Sequence, residues 1–149
     1  MNILIVEDDT FKADALKEYV LEIVPNANIT VAKSFRSGCH AAFEGKYEIL
    51  LLDMTMPNFD VANSENGGDT LKNGGELIMR ELLDEAVPFK AVIISQYETF
   101  NNETIEQIDA RLKELCSSNY LGWIKYSTKN IDWKEKLNKL ISDVINTSN

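Results

Sequence analysis

Five residues whose side chains can do chemistry each follow a short apolar run. Glu7 and Asp8 come directly after a run that begins at residue 3, and Asp53 follows a second run, ILLL. Ser95 and Lys125 stand at the ends of two further runs. Parallel strands end at a shared edge of their sheet, where open α/β sheets bind ligands. If these runs are neighbouring parallel strands, the five side chains share one pocket.

The three carboxylates predict a cation site. Three negative charges in one concavity repel one another more strongly than they would in bulk water, so Glu7, Asp8 and Asp53 need a counter-ion. Oxygen ligands from a few residues, with room left for water, suit Mg²⁺ rather than zinc. The lone histidine, His40, falls in a helical stretch away from every strand end. No histidine-based triad or zinc site is therefore expected.

A hydroxyl and an ammonium complete the predicted pocket. Ser95 can donate a hydrogen bond, and Lys125 together with the cation can take up the negative charge of phosphoryl oxygens. One of the carboxylates can then act as the nucleophile that accepts the phosphoryl group. The residue types alone predict a phosphoryl site and leave the accepting carboxylate open.

The apolar runs alternate with segments of helical period. Runs rich in Ile, Leu and Val predict five strands, at residues 3–6, 29–32, 49–52, 91–94 and 120–124. A run without polar alternation, such as ILLL, is typical of a strand buried on both faces of a parallel sheet. The alternation predicts an α/β fold: a doubly wound, five-stranded parallel sheet of flavodoxin-like order 2-1-3-4-5 in a three-layer sandwich.

The first of the five predicted helices has a recognisable start and an apolar stripe. Asp9 is expected to be its N-cap, because an aspartate there can accept hydrogen bonds from the first turn. The predicted apolar face steps through Phe11, Ala15, Tyr19 and Ile23.

Composition and charge narrow the class of protein. A chain of 149 residues predicts one domain, residues 1–149. Acidic residues outnumber basic ones by 24 to 15, and the net charge of −9 disfavours nucleic acid and anionic membranes. No run approaches the roughly 20 apolar residues of a membrane span, and the start, MNILIVEDD, does not resemble a signal peptide. Cys39 and Cys116 lie far apart without metal-site spacing, which fits a reducing, cytoplasmic location.

Residues 61–73 break the alternation. The stretch VANSENGGDTLKN has little apolar content, two adjacent glycines and three asparagines, so it predicts a loop insertion. Long loops persist in compact domains mostly when they bind or cover something, which makes a mobile flap beside the pocket one hypothesis. The alternative is an insertion without a role, tolerated because lengthening a surface loop costs little free energy.

The motifs ILIVEDD, LLDMTMP, VIIS and WIK, each at a predicted strand end and in this order, resemble the receiver domain of two-component response regulators. The resemblance covers essentially the whole chain. It implies that Asp53 accepts a phosphoryl group from a phosphohistidine. It also implies that Glu7, Asp8 and Asp53 hold Mg²⁺, with the backbone carbonyl of Thr55 as a further ligand.

The same resemblance gives roles to Ser95 and Lys125. Ser95 takes the place of the family's threonine or serine switch residue, and Lys125 that of its lysine. Three residues depart from the family pattern: Gln96 where a small residue is usual, Gly122 at the aromatic switch position, and Tyr126 where a cis proline usually follows the lysine.

The resemblance implies a receiver rather than an enzyme. We expect a stand-alone receiver, since the last predicted helix ends near residue 146 and the chain stops at residue 149. Its expected partners are a sensor histidine kinase or a histidine phosphotransfer protein and a downstream protein target, with no contact to DNA or membrane. The three departures keep open a pseudo-receiver that binds partners without phosphorylation. A Mg²⁺-dependent hydrolase of similar topology is a third reading, although nothing supplies a general acid beside Asp53.

Overall fold

The computed structural model describes residues 1–61 and 67–147. Within these ranges the helices are α1 (Thr10–Ile23), α2 (Phe35–Glu44), α3 (Gly74–Asp84), α4 (Ile105–Leu115) and α5 (Asp132–Thr147). The strands are β1 (Asn2–Val6), β2 (Asn28–Ala32), β3 (Ile49–Leu52), β4 (Met56–Pro57), β5 (Thr70–Leu71), β6 (Ala91–Ser95), β7 (Thr99–Phe100), β8 (Glu103–Thr104) and β9 (Tyr120–Lys125). In the part of the chain so described, no helix is both long enough and apolar enough to cross a membrane.

The five longer strands form one parallel sheet in the order β2-β1-β3-β6-β9. This is the predicted order, with β6 and β9 as the fourth and fifth long strands. Helices α2, α3 and α4 cover one face of the sheet, and α1 and α5 cover the other. In β3, Leu50 and Leu52 pack into the first layer while Ile49 and Leu51 pack into the second. The doubly wound three-layer sandwich is therefore confirmed.

Helix α1 buries the predicted stripe only in part: Ala15, Tyr19 and Ile23 pack against the core but stay partly exposed. Asp9 is the N-cap, as expected, but the side chain of Phe11 is 88% exposed. Ala13, Leu16 and Val20 face the sheet instead, together with Lys12. Both stripes have helical spacing, and packing against the sheet selects the one that holds Leu16 and Val20. As a result, a lysine of the first turn points inward.

The predicted loop at residues 61–73 is in part the second half of a hairpin. β5 pairs antiparallel with β4, and beyond this pair the backbone N–H of Phe59 donates to the carbonyl of Gly67 at 2.9 Å. The prediction of an irregular segment is thus wrong at residues 70–71. The flap hypothesis rests mainly on residues 62–66, which lie outside the described residues.

Strand β9 contains a bulge next to β6. Ala91 pairs with Tyr120 but Ile93 pairs with Trp123, so β9 carries one extra residue between these points. Gly122 lies there with φ of 114°, a conformation that residues with a side chain rarely adopt. The bulge brings both Tyr120 and Trp123 into the layer that contains α4. No aromatic ring can therefore stand at position 122 without straining the strand.

Candidate functional site

The three carboxylates meet at the carboxyl edge of the sheet. β1 and β3 are neighbours in register, with Val6 opposite Leu52, so the residues that follow them emerge side by side. Carboxylate oxygens of Glu7, Asp8 and Asp53 all lie within 4.8 Å of one another. The structure thus brings these three side chains together as the strand order requires.

The cluster lies in a cavity of about 230 Å³ that is open to solvent. Its lining residues are Glu7, Asp8, Asp9, Lys12, Asp53, Thr55, Gln96 and Tyr97. Glu7 forms the floor, with 1% of its surface exposed, and accepts a hydrogen bond from the backbone N–H of Asp9 at 3.2 Å. Asp53 is partly exposed, and its Oδ1 accepts from the backbone N–H of Met54 at 2.8 Å. Asp8 is exposed at the mouth.

Lys12 is the residue that sequence reasoning missed. Its Nζ lies 2.7 Å from Glu7 Oε1 and 3.3 Å from Asp53 Oδ1, and it donates to the carbonyl of Ile94 at 2.7 Å. Its side chain is 3% exposed. The sequence does contain a signal for the burial of Lys12: it lies four residues before Leu16, on the stripe of α1 that is fully buried.

Burial dominates the electrostatics of the cluster. It raises the pKa of Glu7 to about 8; the charge of Lys12 opposes this rise and that of Asp53 adds to it. Burial also raises the pKa of Asp8, and Asp53 acts in the same direction. Because the charged forms of Glu7 and Asp8 are costly to hold, a further cation in the cavity would stabilise them.

The donor set fits a hard divalent cation. Glu7 Oε1 is buried and, among the described residues, receives no well-directed hydrogen bond, although the Lys12 ammonium lies beside it. Carboxylate oxygens from a few residues around an open, wettable cavity are what Mg²⁺ binds in proteins. Thr55, predicted as a carbonyl ligand, also lines the cavity. The residues present therefore match the predicted magnesium site in kind.

Ser95 and Lys125 are directed elsewhere in this structure. The Ser95 side chain is fully buried, and its hydroxyl accepts from the backbone N–H of Tyr97 at 3.1 Å and lies 3.2 Å from that residue's carbonyl. Lys125 Nζ is paired with Glu98 Oε1 at 2.9 Å, and about half of each side chain is exposed. Neither residue lines the cavity as described. Their predicted roles in the pocket stay predictions.

Tyr126, the residue after Lys125, lies next to the buried Lys12. Tyr126 is joined to Lys125 by a trans peptide, and its backbone N–H donates to the carbonyl of Ser95 at 2.9 Å. Its ring is buried against Trp133, with 5.2 Å between ring centroids, and Lys12 Nζ lies 5.5 Å from the Tyr126 centroid. Tyr126, which stands where the family usually has a proline, therefore packs beside the buried Lys12.

Gly75 fixes the close approach of α3 to the chain that carries Asp53. A Cβ atom at position 75 would lie 2.4 Å from the backbone carbonyl oxygen of Asp53. Gly75→Ala is expected to lower the free energy of unfolding by about 1–2 kcal/mol, because backbone must move to admit the methyl group. Chemical denaturation of both proteins measures this loss.

Gly45→Ala is the matched control. The atoms nearest to a Cβ at position 45 belong to the ring end of Tyr47, a partly exposed side chain that can turn aside. We expect its unfolding free energy to stay within about 0.5 kcal/mol of the parent. Equal losses in the two variants would contradict a specific role for Gly75.

Solved receiver domains of response regulators share this fold over nearly the whole chain. A receiver domain of another kind of protein, the sensor histidine kinase PA1611 from Pseudomonas aeruginosa PAO1, has the fold too and was solved with a magnesium ion coordinated in the active site cleft. It covers 97% of this chain and 97% of its own, with a TM-score of 0.62 and 15% identity. No protein-family model matches the chain.

Two curated proteins are similar in sequence. The uncharacterized protein y4jR of Sinorhizobium fredii (strain NBRC 101917 / NGR234) is 32% identical over 142 residues, which span 90% of this chain and 92% of that protein. The Detocs response regulatory protein DtcB of Enterobacter cloacae (strain JD6301) is 27% identical over 150 residues, 97% of this chain and 100% of that protein. The chain belongs to the response-regulator receiver family. In this receiver the acidic cluster is intact, whereas a lysine from α1 lies where Lys125 was expected.

Proposed function

We propose that this receiver accepts a phosphoryl group on Asp53 from a histidine kinase or a histidine phosphotransfer protein, in a Mg²⁺-dependent reaction. It then signals through contact with a downstream protein. The observation that carries the proposal is the convergence of Glu7, Asp8 and Asp53 in one open cavity at the ends of β1 and β3. That arrangement combines a nucleophile with the ligands of a hard cation.

Asp53 is the carboxylate best placed to react. Its Oδ1 is held by the backbone N–H of Met54 and faces Lys12, so the carboxylate has a fixed orientation in a cavity that a donor can enter. A carboxylate oxygen attacks phosphorus, the phosphorus–nitrogen bond of the phosphohistidine breaks, and the imidazole nitrogen keeps the electron pair. Glu7 is too deeply buried for in-line attack.

Glu7, Asp8 and Asp53 would hold the cation, since their carboxylate oxygens lie within 4.8 Å of one another. A solved receiver domain of the same fold has a magnesium ion coordinated in its active site cleft. When bound, Mg²⁺ reduces the repulsion between these carboxylates and the incoming phosphoryl oxygens. The protein acts as a stoichiometric acceptor in the cytoplasm rather than as an enzyme with turnover. Its net charge of −9 favours a protein partner over nucleic acid or anionic membrane.

A pseudo-receiver is the second candidate function. The Ser95 hydroxyl is engaged with the backbone of Tyr97, and Lys125 is engaged with Glu98. A domain whose switch residue and lysine both stayed in these contacts would bind its partner without phosphorylation.

Intact-mass spectrometry after incubation with acetyl phosphate and Mg²⁺ tests the proposal. The expected result is that the protein gains the mass of one phosphoryl group with Mg²⁺ present. It should gain no mass when EDTA replaces Mg²⁺. A folded protein that gains no mass at any Mg²⁺ concentration would refute phosphoryl acceptance and support the pseudo-receiver. Circular dichroism of the same sample establishes that the fold is intact.

A further inference from the structure

Two adjacent residues after β6 hold the side chains of both Ser95 and Lys125. Ser95 and Lys125 lie opposite each other, as the last pair in register between β6 and β9. The backbone N–H of Tyr97 donates to the Ser95 hydroxyl at 3.1 Å, and that hydroxyl donates to the Tyr97 carbonyl at 3.2 Å. Lys125 Nζ donates to Glu98 Oε1 at 2.9 Å. The segment Tyr97–Glu98 therefore restrains both residues at once.

The ion pair between Glu98 and Lys125 is of a kind that exchanges easily. Both side chains are about half exposed, so water screens their attraction and can replace either partner. Lys12 differs, because its side chain is 3% exposed and it has short contacts to Glu7 and to the carbonyl of Ile94. Of these two lysines, Lys125 is the one that can change its partner at little cost.

Phosphorylation changes the charge of the cavity in the direction that attracts Lys125. Before the reaction, Lys12 Nζ lies 3.3 Å from Asp53 Oδ1 and offsets the charge of that carboxylate. A phosphoryl group carries about 1.5 to 2 negative charges. Lys12 stays committed to its two short contacts, so part of the new charge is left for a second ammonium. Lys125 has a flexible stem and can turn towards it.

We propose that Glu98 is a competing anion, which holds Lys125 until the phosphoryl group on Asp53 takes this lysine over. Lys125 then serves as the family's lysine, as the resemblance implies. The Ser95 hydroxyl turns its proton from the Tyr97 carbonyl to the phosphoryl group, and both exchanges release the same segment, Tyr97–Glu98. The inference rests on the proposed function, because it names the residue that opposes binding of the phosphoryl group. Glu98 thereby sets how tightly the site holds that group.

The contacts around Glu98 confine the change to this segment. The backbone carbonyl of Glu98 accepts from the N–H of Ile105 at 2.8 Å and so closes the base of the hairpin formed by β7 and β8. Phe100 is buried in the core, and Glu103 Oε1 accepts from Arg111 at 3.0 Å. Neither contact involves Lys125. The hairpin therefore stays in place when the Glu98 side chain is released.

Glu98→Gln in the full chain tests the competition. Glu106→Gln is the matched control, because it removes the same charge from the exposed first turn of α4. Beryllofluoride, a phosphoryl analogue, is titrated into each protein with saturating Mg²⁺. Glu98→Gln is expected to bind it about threefold more tightly than the parent, the size of effect that one exposed ion pair has. Glu106→Gln is expected to bind it with the affinity of the parent.

Nuclear magnetic resonance of the parent supplies a readout that a merely structural role would not move. The carboxyl carbon of Glu98 is expected to shift when beryllofluoride binds, and the amides at the hairpin tip, Asn101 and Asn102, are expected to shift less. An unchanged Glu98 resonance in a parent that binds beryllofluoride would overturn the inference. Equal affinities of the three proteins would do so too, and in both cases the proposed function stands. A parent that neither binds beryllofluoride nor gains mass with acetyl phosphate would refute the proposed function and this inference with it.

Discussion

Asp53→Asn is expected to abolish phosphoryl uptake while leaving the fold intact. The amide cannot act as the nucleophile that the carboxylate provides. Lys12 keeps its two short contacts, to Glu7 and the carbonyl of Ile94, and the repulsion from Glu7 falls, so the free energy of unfolding should change by less than about 1 kcal/mol. Intact mass after incubation with acetyl phosphate and Mg²⁺ reads out uptake directly.

Asp69→Asn is the matched control for this experiment. Asp69 is exposed on the hairpin that follows the site, and its backbone carbonyl, which accepts from Asn58, is unchanged by the substitution. We expect it to gain the mass of one phosphoryl group as the parent does. A phosphoryl group retained by Asp53→Asn would place the acceptor on another residue and contradict the assignment.

Arg111→Met is expected to lower the free energy of unfolding by about 2–3 kcal/mol, which is below the usual cost of breaking a buried ion pair because Arg111 is partly exposed. Arg111 Nη2 and Nε contact both oxygens of Glu76, at 2.7 and 3.0 Å, and Nη1 contacts Glu103. Glu76 is 2% exposed. It keeps a second arginine, Arg80, at 2.8 Å, so its charge stays partly compensated. Urea denaturation of variant and parent measures the loss.

Lys113→Met controls for the loss of a positive charge from α4. Lys113 pairs with Asp109 at 2.9 Å, but its side chain is largely exposed, and exposed pairs of this kind contribute little. We expect a change below about 0.5 kcal/mol. An equal loss in Lys113→Met and Arg111→Met would show that net charge, and not the contact with Glu76, determines the effect.

The contribution of the Glu76–Arg111 ion pair to the free energy of unfolding depends on pH. Burial alone would raise the pKa of Glu76, but the hydrogen bonds from Arg111 and Arg80 outweigh it, and its pKa lies below the ordinary 4.5. A lowered folded-state pKa stabilises the fold above the unfolded-state value, and this stabilisation is lost as pH falls through the folded-state value. The difference between parent and Arg111→Met should be constant from about pH 6 to 8 and shrink below about pH 4.5.

The parallel sheet and the three carboxylates at its edge can be predicted from the local sequence pattern. The positions of the lysines around the pocket cannot. The ILLL run has one plausible placement, between two helix layers, and strand order then brings Asp53 next to Glu7 and Asp8. The burial of Lys12 could not be predicted, because two stripes of α1 have helical spacing and only packing against the sheet decides which one is fully buried.

Two long-range ion pairs could not be predicted from the sequence either. Nothing local distinguishes a Lys125 that enters the cavity from one that pairs with Glu98, since a lysine at a strand end reaches both. Nor does spacing reveal that Arg111 meets Glu76, 35 residues away. Such contacts depend on how layers pack rather than on periodicity.

The hairpin formed by β4 and β5 has a practical use. Its strands bring the chain out and back at neighbouring points, with Phe59 and Gly67 joined by a hydrogen bond of 2.9 Å. A guest sequence placed between residues 61 and 67 would start and finish close together, and each doubling of its length costs only about 0.6 kcal/mol. A fluorescent reporter or an affinity tag inserted there would be attached next to Val61, which lines a small pocket together with Asp8 of the carboxylate cluster. It would leave the five-stranded sheet unchanged, because β4 and β5 form a two-stranded sheet of their own. The receiver could in this way be converted into a sensor of its own phosphorylation.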